Sequence, residues 1–502
     1  MKRDIDLPDR QELEARVSRM GNLSCEKSKK LAVRWNAEEG APVFTAGGIY
    51  RSRGWTEWTQ GFQFGIPLLA YELTKDSELL EFAERSILER MEVHLTHRGV
   101  HDHGFNNVST YGNLLRLMAQ GLVEDAIWKR RYYELALKVS GAVQASRWTA
   151  LPGKLGYIYS FNGPHSLFAD TMRSLRSLAI AWKLGHILME EQDAKVNLLE
   201  RLLAHAESTA CWNVYLGTGR DRWDVRGRVA HESIFNIVNG SYRCPSSQQG
   251  YSPFTTWTRG LAWVMLGFAE ELEFITASVE DKDIAALGLP YFADKQQVLE
   301  RFIEIARATS DYYLDNTPLD GIPYWDTGGP ALHHMPDALS READPFNPWE
   351  PVDASAAAIA AQALLRLGYV LSGTKYRPSE ELSEKYLRAG LAIVARLCGE
   401  PYLSEDPSHE GLLLHAVYHY PNGWDFEREK GRPPFGESCL WGDYHLLETG
   451  LWVWRWLRNE PLPRFFDIEG EKPARGEDRQ PIGGEDRQPI GGEDRQPAGG
   501  AA

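Results

Sequence analysis

The sequence predicts an all-α protein folded as a single (α/α)6 barrel, and three observations lead to that prediction. Apolar stripes at helical spacing recur along most of the 502 residues, while strand-like alternation is rare. The helical segments form pairs that repeat about every 50 residues. Helices with one charged face alternate with helices that are apolar nearly all round. Because a helix of the second kind must be buried on every side, we expect an inner ring wrapped by an outer ring.

The predicted helices make six pairs when a first helix near Gln11 is included. Small-residue apolar sequences at 260–269 and 354–365 are typical of inner helices, whereas EFAERSILERMEV and LRAGLAIVARL are typical of the outer ring. Short turns that contain Gly, Asp or Lys separate the members of a pair. The predicted helical segments are 57–73, 77–95, 110–121, 124–146, 170–188, 192–208, 257–273, 295–314, 353–371, 379–398 and 440–458.

The C-terminal end has a different character. From Gly476 the octapeptide GEDRQPIG repeats with almost no apolar residues. Such a segment buries too little surface to offset the entropy lost on ordering. We therefore predict a barrel domain at 1–470, which carries the catalytic site, and a disordered low-complexity tail at 471–502.

Composition and charge exclude several classes of function. A net charge of −15 argues against nucleic-acid binding, which needs clustered Lys and Arg. No stretch approaches about 18 apolar residues, so no membrane span is expected. The charged N-terminus lacks the apolar core of a signal peptide, and the five separated cysteines indicate reduced thiols; both features favour a cytoplasmic location. The 17 tryptophans are a weak indication of sugar binding.

Polar and aromatic clusters stand at the starts of the predicted inner helices. In a barrel these positions meet at one rim, so the pattern predicts a single site there. The clusters are 55–62, 101–107, 165–171, His231, 249–263, 349–355 and 437–444.

Three aspartates are candidates for chemistry at that rim. Asp170 and Asp353 each precede a helix, and each is interpreted first as an N-cap, because a carboxylate there accepts a backbone N–H. Asp102 lies between His101 and His103 in the loop GVHDHGFNN. A turn former, a general acid or base, and a metal ligand all stay open for it.

Arg259 begins an otherwise apolar helix in TTWTRGLAW. A charge at the mouth of a buried helix needs an anionic partner, and a substrate carboxylate gripped in bidentate fashion fits that need. Trp257 and Trp263 are six residues apart, so they do not share a helical face, and we expect at least one to pack in the core.

No cofactor is predicted. His415 and His419 have i, i+4 spacing but no neighbouring carboxylate or cysteine, so the metal interpretation is weak. Phosphate-binding, dinucleotide-binding and serine-hydrolase motifs are absent. Two carboxylates among aromatic residues leave carbohydrate chemistry as the leading class.

Six short motifs follow one another over most of 50–460. They are WTQGF (58–62), HDHGF (101–105), ADTM (169–172), WTRGLAW (257–263), DASAAAIAA (353–361) and ESCLWGDYHLLE (437–448). Each is weak alone, but the ordered set resembles glycoside hydrolase family 88, the unsaturated glucuronyl hydrolases. The fold of that family is an (α/α)6 barrel, which agrees with the helix pattern.

The resemblance implies an enzyme that removes a nonreducing-end 4,5-unsaturated uronate from oligosaccharides left by polysaccharide lyases, including those made from glycosaminoglycans. In this family an acid protonates C4, water adds at C5, and the resulting hemiketal opens. The resemblance assigns the acid and base role to Asp170, and to Asp102 the binding of sugar hydroxyls and the tuning of Asp170. A raised pKa of Asp170 would suit that role. The further implied substrate contacts are Trp58, His101, His231, Gln249, Trp257, Arg259 and Trp263.

Other interpretations stay open. His103 replaces an apolar residue of the motif and is expected to alter the pocket or its pH response, and insertions at 275–295 and 333–350 are expected to reshape the rim. An inverting glycosidase or a uronate-specific glucuronidase on the same barrel is the principal alternative. A sugar epimerase that uses His101, His231 and His415 is another, and a non-catalytic carbohydrate-binding toroid is the last.

Overall fold

The structure, a computed structural model, describes residues 7–54, 57–373, 380–425 and 436–469. The predicted disordered tail at 471–502 lies outside these residues. Helices dominate, as the sequence predicts. In chain order the helices are α1 (Arg10–Arg34), α2 (Gln60–Thr74), α3 (Ser77–Arg90), α4 (Glu92–Leu95), α5 (His103–Asn106), α6 (Asn113–Ala119), α7 (Ile127–Ser146), α8 (Thr171–Ser174), α9 (Arg176–Lys183), α10 (Leu198–Trp212), α11 (Thr258–Ser278), α12 (Asp281–Leu287), α13 (Lys295–Asp315), α14 (Ala354–Gly373), α15 (Glu380–Leu397) and α16 (Leu440–Arg458).

Short antiparallel strands lie in the segments that connect the helices. β1 pairs with β2, β3 with β4, and β6 with β7, while β5, β8 and β9 form a three-stranded sheet in that order. The strands are β1 (Pro42–Ala46), β2 (Ile49–Ser52), β3 (Trp148–Ala150), β4 (Gly156–Ile158), β5 (Ser166–Phe168), β6 (Leu188–Met189), β7 (Lys195–Val196), β8 (Glu232–Phe235) and β9 (Tyr242–Ser246).

The inner helices form a closed ring. In order around the ring they are α2, the pair α5 and α6 joined by a π-helical turn (Val108–Gly112), the pair α8 and α9, α11, α14 and α16, which returns to pack against α2. The outer helices α1, α3, α7, α10, α13 and α15 each pack on inner helices. The predicted (α/α)6 barrel is therefore confirmed.

Two glycines allow α5 to enter the ring closely enough to place a candidate aspartate. A Cβ on Gly104 would lie 2.4 Å from the carbonyl oxygen of Ser174, and a Cβ on Gly61 would lie 2.4 Å from the backbone of Asn106. Only residues without a side chain permit both approaches. The loop that carries Asp102 is thereby held between α2 and α8.

Helix α14 qualifies by length and composition as a membrane span, which corrects the expectation that no segment of the chain would. Of its apolar 18-residue window, 89% is buried inside the protein. This burial fits the all-round apolar sequence, because α14 packs against α11, α13, α15 and α16.

Some predicted boundaries are wrong. The segment 77–95 is broken at Met91 into α3 and α4, and the helix predicted at 170–188 stops at Lys183. Gly185, at φ 74°, follows that stop. The next helix starts at residue 198 rather than 192, because the side chain of Asn197 accepts the N–H of Leu199 and caps it there. The β6–β7 hairpin fills the interval.

An ion-pair cluster lies in the barrel interior, one helical turn beyond Asp170. Arg173 lies 2.8 Å from Glu270 and 2.9 Å from Glu448, so it joins α8 to α11 and α16. Arg366 of α14 pairs with Glu273 at 2.6 Å. These charged residues lie on helices whose sequences are otherwise largely apolar. Each of them is paired with an opposite charge inside the ring of inner helices.

Candidate active site

One pocket lies at the starts of α2, α5, α8 and α11, where the sequence predicts a site. It contains about 570 Å³ of empty space that opens to solvent. Its walls are largely aromatic and include the segment 418–424, whereas the predicted clusters at 349–355 and 437–444 contribute no lining residue. The lining residues are Trp58, Val100, His101, Asp102, Phe105, Phe161, Asp170, Gln248, Gln249, Trp257, Arg259, Trp263, Tyr418, His419 and Trp424.

Asp170 stands immediately before α8, yet its side chain accepts no capping hydrogen bond. Its Oδ1 instead lies 3.2 Å from Nε2 of His101. The carboxylate is only 8% exposed, at the wall of the pocket. The N-cap interpretation of Asp170 is therefore wrong, because the side chain turns to the imidazole rather than to the helix backbone.

Asp102 also lies near the imidazole of His101. It precedes α5 without capping it, and its Oδ1 lies 3.9 Å from Nε2 of His101. The Asp102 residue is 7% exposed. One buried ring nitrogen thus links two buried carboxylates, which we call the Asp–His–Asp cluster (Asp102, His101 and Asp170).

The three groups of the cluster have different proton affinities. Burial raises the pKa of Asp102 to about 6, and the charge of Asp170 adds to this while His101 opposes it. Burial by itself would raise the pKa of Asp170 as well. The hydrogen bond and the charge of His101 outweigh burial, so the pKa of Asp170 is lowered. Burial disfavours the imidazolium, yet the two carboxylates raise the pKa of His101.

His101 and Asp170 therefore form an ion pair, and Asp102 is the carboxyl group that holds a proton up to about pH 6. The expected raised pKa of Asp170 is wrong, since its pKa is lowered. The physical reason is the imidazolium of His101, which stabilises the ionised form of Asp170.

Arg259 is buried at the start of α11 and already has an anionic partner. Its Nη1 donates to Oδ2 of Asp353 at 2.9 Å and to the carbonyl of Val417. Its Nη2 donates to the carbonyl of Tyr418 at 2.6 Å and to Oε1 of Gln249 at 3.0 Å. The expectation that a substrate carboxylate supplies its counter-charge is wrong, since Asp353 supplies it inside the protein.

Asp353 is the N-cap that the sequence predicts. Its Oδ1 accepts the N–H groups of Ser355 at 3.1 Å and Ala356 at 3.3 Å. Its other oxygen holds Arg259. The ion pair in turn fixes Gln249, because an amide oxygen that accepts from Arg259 leaves the NH₂ group of Gln249 to donate at the pocket wall.

His231 lies behind the pocket wall rather than in it. Its Nδ1 accepts the backbone N–H groups of Gln248 at 3.0 Å and Gln249 at 3.2 Å. Burial lowers the pKa of His231 to about 4, so the ring is neutral and carries its proton on Nε2. The ring packs 4.6 Å from that of Trp257 and 4.5 Å from that of Phe168. His231 thus supports the part of the wall that contains Gln249 and Trp257.

Trp257 and Trp263 both line the pocket, and both are buried in the hydrophobic core, so the expectation that at least one packs in the core is confirmed. Trp257 is not on the helix: it is the residue before α11, with extended backbone (φ −63°, ψ 113°). Spacing arguments for a helical face therefore do not apply to it. Trp58 stacks on Trp441 with ring centroids 5.0 Å apart, and this packing fixes its ring at the opening.

Although the chain matches no family model, it has curated relatives over most of its length. An unsaturated glucuronyl hydrolase of Formosa agariphila is 24% identical over 408 residues, which are 78% of this chain and 79% of that protein. An unsaturated chondroitin disaccharide hydrolase of Streptococcus agalactiae is 25% identical over 439 residues, which are 84% and 88% of the two chains. Over most of its length the chain is similar to unsaturated glucuronyl hydrolases, in agreement with the motif set.

Solved structures of the family share the barrel. The unsaturated glucuronyl hydrolase of Bacillus sp. GL1, described as responsible for the degradation of glycosaminoglycan, superposes with a TM-score of 0.64 at 22% identity, over 91% of this chain and 99% of that one. A variant of the Streptococcus agalactiae enzyme complexed with dGlcA-GalNAc6S gives a TM-score of 0.59 at 20% identity, over 91% and 95% of the two chains. These likenesses establish the fold.

Several wall residues of the pocket were not predicted from the sequence. Phe161 follows β4 and stacks on His101, with ring centroids 6.1 Å apart. Tyr418, His419 and Trp424 come from an irregular segment. The available signal was the concentration of aromatic residues in LLLHAVYHYPNGW.

His415 and His419 do not form the i, i+4 helical pair that their spacing suggests. The segment is not helical, because His415 has φ 61°, and its Nδ1 accepts the N–H of Gly436 at 3.2 Å. His419 lines the pocket whereas His415 does not. Within the described ranges no group of three or more His, Cys, Asp or Glu side chains is placed to hold a metal ion.

His103 does not reach the pocket, contrary to expectation. Its Nδ1 lies 3.1 Å from Oγ of Ser140, and its Nε2 lies 3.0 Å from the carbonyl oxygen of His97. Burial lowers the pKa of His103 to about 3, so the ring is neutral. His103 thus joins α5 to α7.

The proton of the cluster is expected to be located on Asp102. In infrared titrations of the ligand-free protein, a protonated-carboxyl band should be lost with a midpoint near pH 6, because burial raises the pKa of Asp102 to about 6. Burial raises the pKa of other carboxyl groups too, among them Asp320, Asp326 and Asp425 to about 6, so the readout is the difference spectrum between wild type and variant. Asp102→Asn should remove a component of one carboxyl group with a midpoint near pH 6. In Asp170→Asn that component should remain, with a lower midpoint, since a neighbouring negative charge is removed. A component that survives in Asp102→Asn and disappears in Asp170→Asn would place the proton on Asp170 instead.

Proposed function

We propose that the protein is an unsaturated β-glucuronyl hydrolase, a glycoside hydrolase that removes a 4,5-unsaturated uronate from the nonreducing end of an oligosaccharide. The observation that carries the proposal is the Asp–His–Asp cluster at the wall of an aromatic pocket. It holds two carboxylates with unequal proton affinities beside one imidazole. That arrangement suits a reaction in which one carboxyl group first gives and then takes a proton.

The pocket fits a planar anionic ring. Trp58, Trp257 and Trp263 offer aromatic surface for stacking. The NH₂ group of Gln249, oriented by Arg259, can donate to the uronate carboxylate. The charge of Arg259 itself is balanced by Asp353, so it acts by holding Gln249 rather than by binding as a free cation.

Binding of the uronate changes the protonation of Asp170. An anion that enters the pocket displaces water and brings a like charge near the cluster, and both effects raise the pKa of Asp170. The proton held by Asp102 or His101 can then reside on Asp170. The substrate therefore creates the acid that the empty site lacks.

The reaction then proceeds in balanced steps. Protonated Asp170 delivers its proton to C4, and the ring oxygen stabilises the positive charge that develops at C5. The Asp170 carboxylate next takes a proton from water as the water oxygen bonds to C5. The product is a hemiketal, which opens and releases the remainder of the oligosaccharide. Net consumption is one water, and the cluster regains its proton.

The geometry disfavours the epimerase alternative, and the glycosidase alternative is separated by the choice of substrate. Asp102 and Asp170 lie 3.9 Å and 3.2 Å from one nitrogen of His101, a spacing that overlaps the carboxyl separation of about 6.5–9.5 Å in inverting glycosidases, so cleavage of a saturated glucuronide is the test for that class. An epimerase built on His101, His231 and His415 would need these rings around one ligand. His231 lies behind the wall, and His415 is outside the pocket.

The relatives support lyase products as the substrate class. Their names refer to unsaturated glucuronyl and chondroitin substrates, and one family structure holds dGlcA-GalNAc6S. We also infer a cytoplasmic location, supported by cysteines that are all free thiols.

Turnover is expected to remove the ultraviolet absorbance of the conjugated C4=C5 bond in an unsaturated disaccharide. The matched saturated glucuronide should be unchanged, because protonation at C4 requires the double bond. Absorbance and released aglycone are measured together for both substrates. Cleavage of the saturated glucuronide at a comparable rate would favour a conventional glucuronidase, and no loss of absorbance would overturn the proposal.

A further inference from the structure

Two neighbouring loops carry exposed aromatic rings, and one of them connects two residues of the pocket wall. Gln249 and Trp257 both line the pocket, and the chain between them leaves the wall and returns. Phe254, on that excursion, is 44% exposed. Two residues separate it from Trp257, so its Cα lies within about 11 Å of that of Trp257, a residue of the pocket wall.

A second loop brings Trp223 against Phe254. The two ring centroids lie 5.7 Å apart with an interplanar angle of 31°. Trp223 is 46% exposed although it is among the largest apolar side chains of the protein. We call these two rings and the loop at 216–228 the rim platform.

Buried interactions hold the platform rigid. Arg228 is buried, and it donates from Nε to the carbonyl of Trp223 at 2.8 Å and from Nη1 to the carbonyl of Pro253 at 3.1 Å. Arg228 thereby joins the two loops that carry the rings. Asp224 accepts the N–H groups of Gly217 at 2.8 Å and Arg220 at 2.7 Å. Exposed aromatic rings on a preorganised support lose little entropy when a ligand binds.

The platform is positively charged in an acidic protein. The loop at 216–228 contains four arginines and two aspartates, whereas the whole chain has a net charge of −15. The guanidinium of Arg222 lies 5.5 Å from the ring centroid of Trp223, and both side chains are exposed. An aromatic face beside an arginine can stack on a sugar ring and pair with its carboxylate or sulfate.

We propose that the rim platform is a distal subsite for an anionic sugar of the leaving oligosaccharide, beyond the unit next to the unsaturated uronate. This inference rests on the proposed function, since the pocket that it extends is the one that holds the uronate. The platform selects unsaturated oligosaccharides longer than a disaccharide whose distal residue is a uronate or is sulfated. Stacking on Trp223 and Phe254 supplies affinity, and Arg222 supplies preference for the charge.

The test compares oligosaccharide substrates of different length. For wild-type protein, kcat/KM should be higher for an unsaturated tetrasaccharide with a distal uronate than for the disaccharide. Trp223→Ala should lower the tetrasaccharide value by about fivefold to tenfold through KM, with the disaccharide value unchanged. Arg222→Gln should lower the value for the anionic tetrasaccharide but not for one with a neutral distal sugar. Trp128→Ala is the matched control, because Trp128 is an exposed outer-helix tryptophan with Lys129 over its ring.

The outcomes separate this inference from the proposed function. If Trp223→Ala lowers kcat/KM equally for disaccharide and tetrasaccharide, or lowers it for neither, the subsite proposal is overturned. The proposed activity is unaffected by either result. Absence of turnover of any unsaturated substrate overturns the activity. In that case calorimetry with the tetrasaccharide still decides the subsite: equal affinities of wild type and Trp223→Ala reject it, and weaker binding by Trp223→Ala supports it.

Discussion

Asp170→Asn is expected to lower kcat/KM for an unsaturated disaccharide by about 10³-fold, because it removes the group that gives the proton to C4 and takes one from water. The fold should be retained. Asp170 makes no capping bond to α8, so its replacement removes no helix cap. The amide has the same shape and still offers an oxygen near His101. Steady-state rates from ultraviolet absorbance and a denaturation curve on the same preparation measure both effects.

Asp320→Asn is the matched control for that experiment. Asp320 is also a buried aspartate, and burial raises its pKa to about 6, but it bonds the N–H groups of Ile322 and Ala343 and does not line the pocket. Its replacement should leave kcat/KM within about twofold. An Asp170→Asn protein that keeps more than about a tenth of wild-type activity would show that Asp170 is not the acid.

Asp353→Ala is expected to lower the free energy of unfolding by about 3–5 kcal/mol. The substitution leaves the guanidinium of Arg259 buried without its counter-charge, and removing one partner of a buried pair carries a cost of this size. It also removes the carboxylate that bonds the N–H groups of Ser355 and Ala356 at the start of α14. Chemical denaturation of both proteins measures the difference.

The double variant Arg259→Met, Asp353→Leu tests that cause. If the uncompensated charge accounts for most of the loss, removing both partners should recover a large part of it, and the double variant should be more stable than Asp353→Ala. A double variant as unstable as Asp353→Ala would assign the loss to the helix cap or to packing. Because Arg259 holds Gln249 at the pocket wall, activity should be impaired in both variants.

The helices of the fold could be predicted because their signals are local. Apolar periodicity and burial on every side of 260–269 and 354–365 depend only on residues within a few turns, and the inner helices α11 and α14 contain both segments. The break at Met91 and the β6–β7 hairpin were not predicted, because each depends on short-range turn geometry that periodicity does not report.

The candidate site could be predicted as a set of residues but not as an arrangement. Motif order placed Asp102, Asp170, Gln249, Trp257 and Trp263 at one rim, and the structure puts them in one pocket. Phe161 and Trp424 were missed, because each comes from an irregular segment whose path depends on distant contacts. His231 was predicted as a substrate contact, yet its two hydrogen bonds with backbone N–H groups hold it behind the wall.

The sequence by itself determined the barrel, the resemblance to unsaturated glucuronyl hydrolases and the location of the site, because helix periodicity and ordered motifs are properties of the chain alone. The tertiary structure decided which charges balance one another. It made Asp353 the partner of Arg259 and His101 the partner of Asp170. Both pairings join residues far apart in the chain, and buried charges interact according to distance in space. For the same reason the charge of His101 lowers the pKa of Asp170, whereas burial raises that of Asp102 to about 6, although the resemblance implied a raised pKa for Asp170.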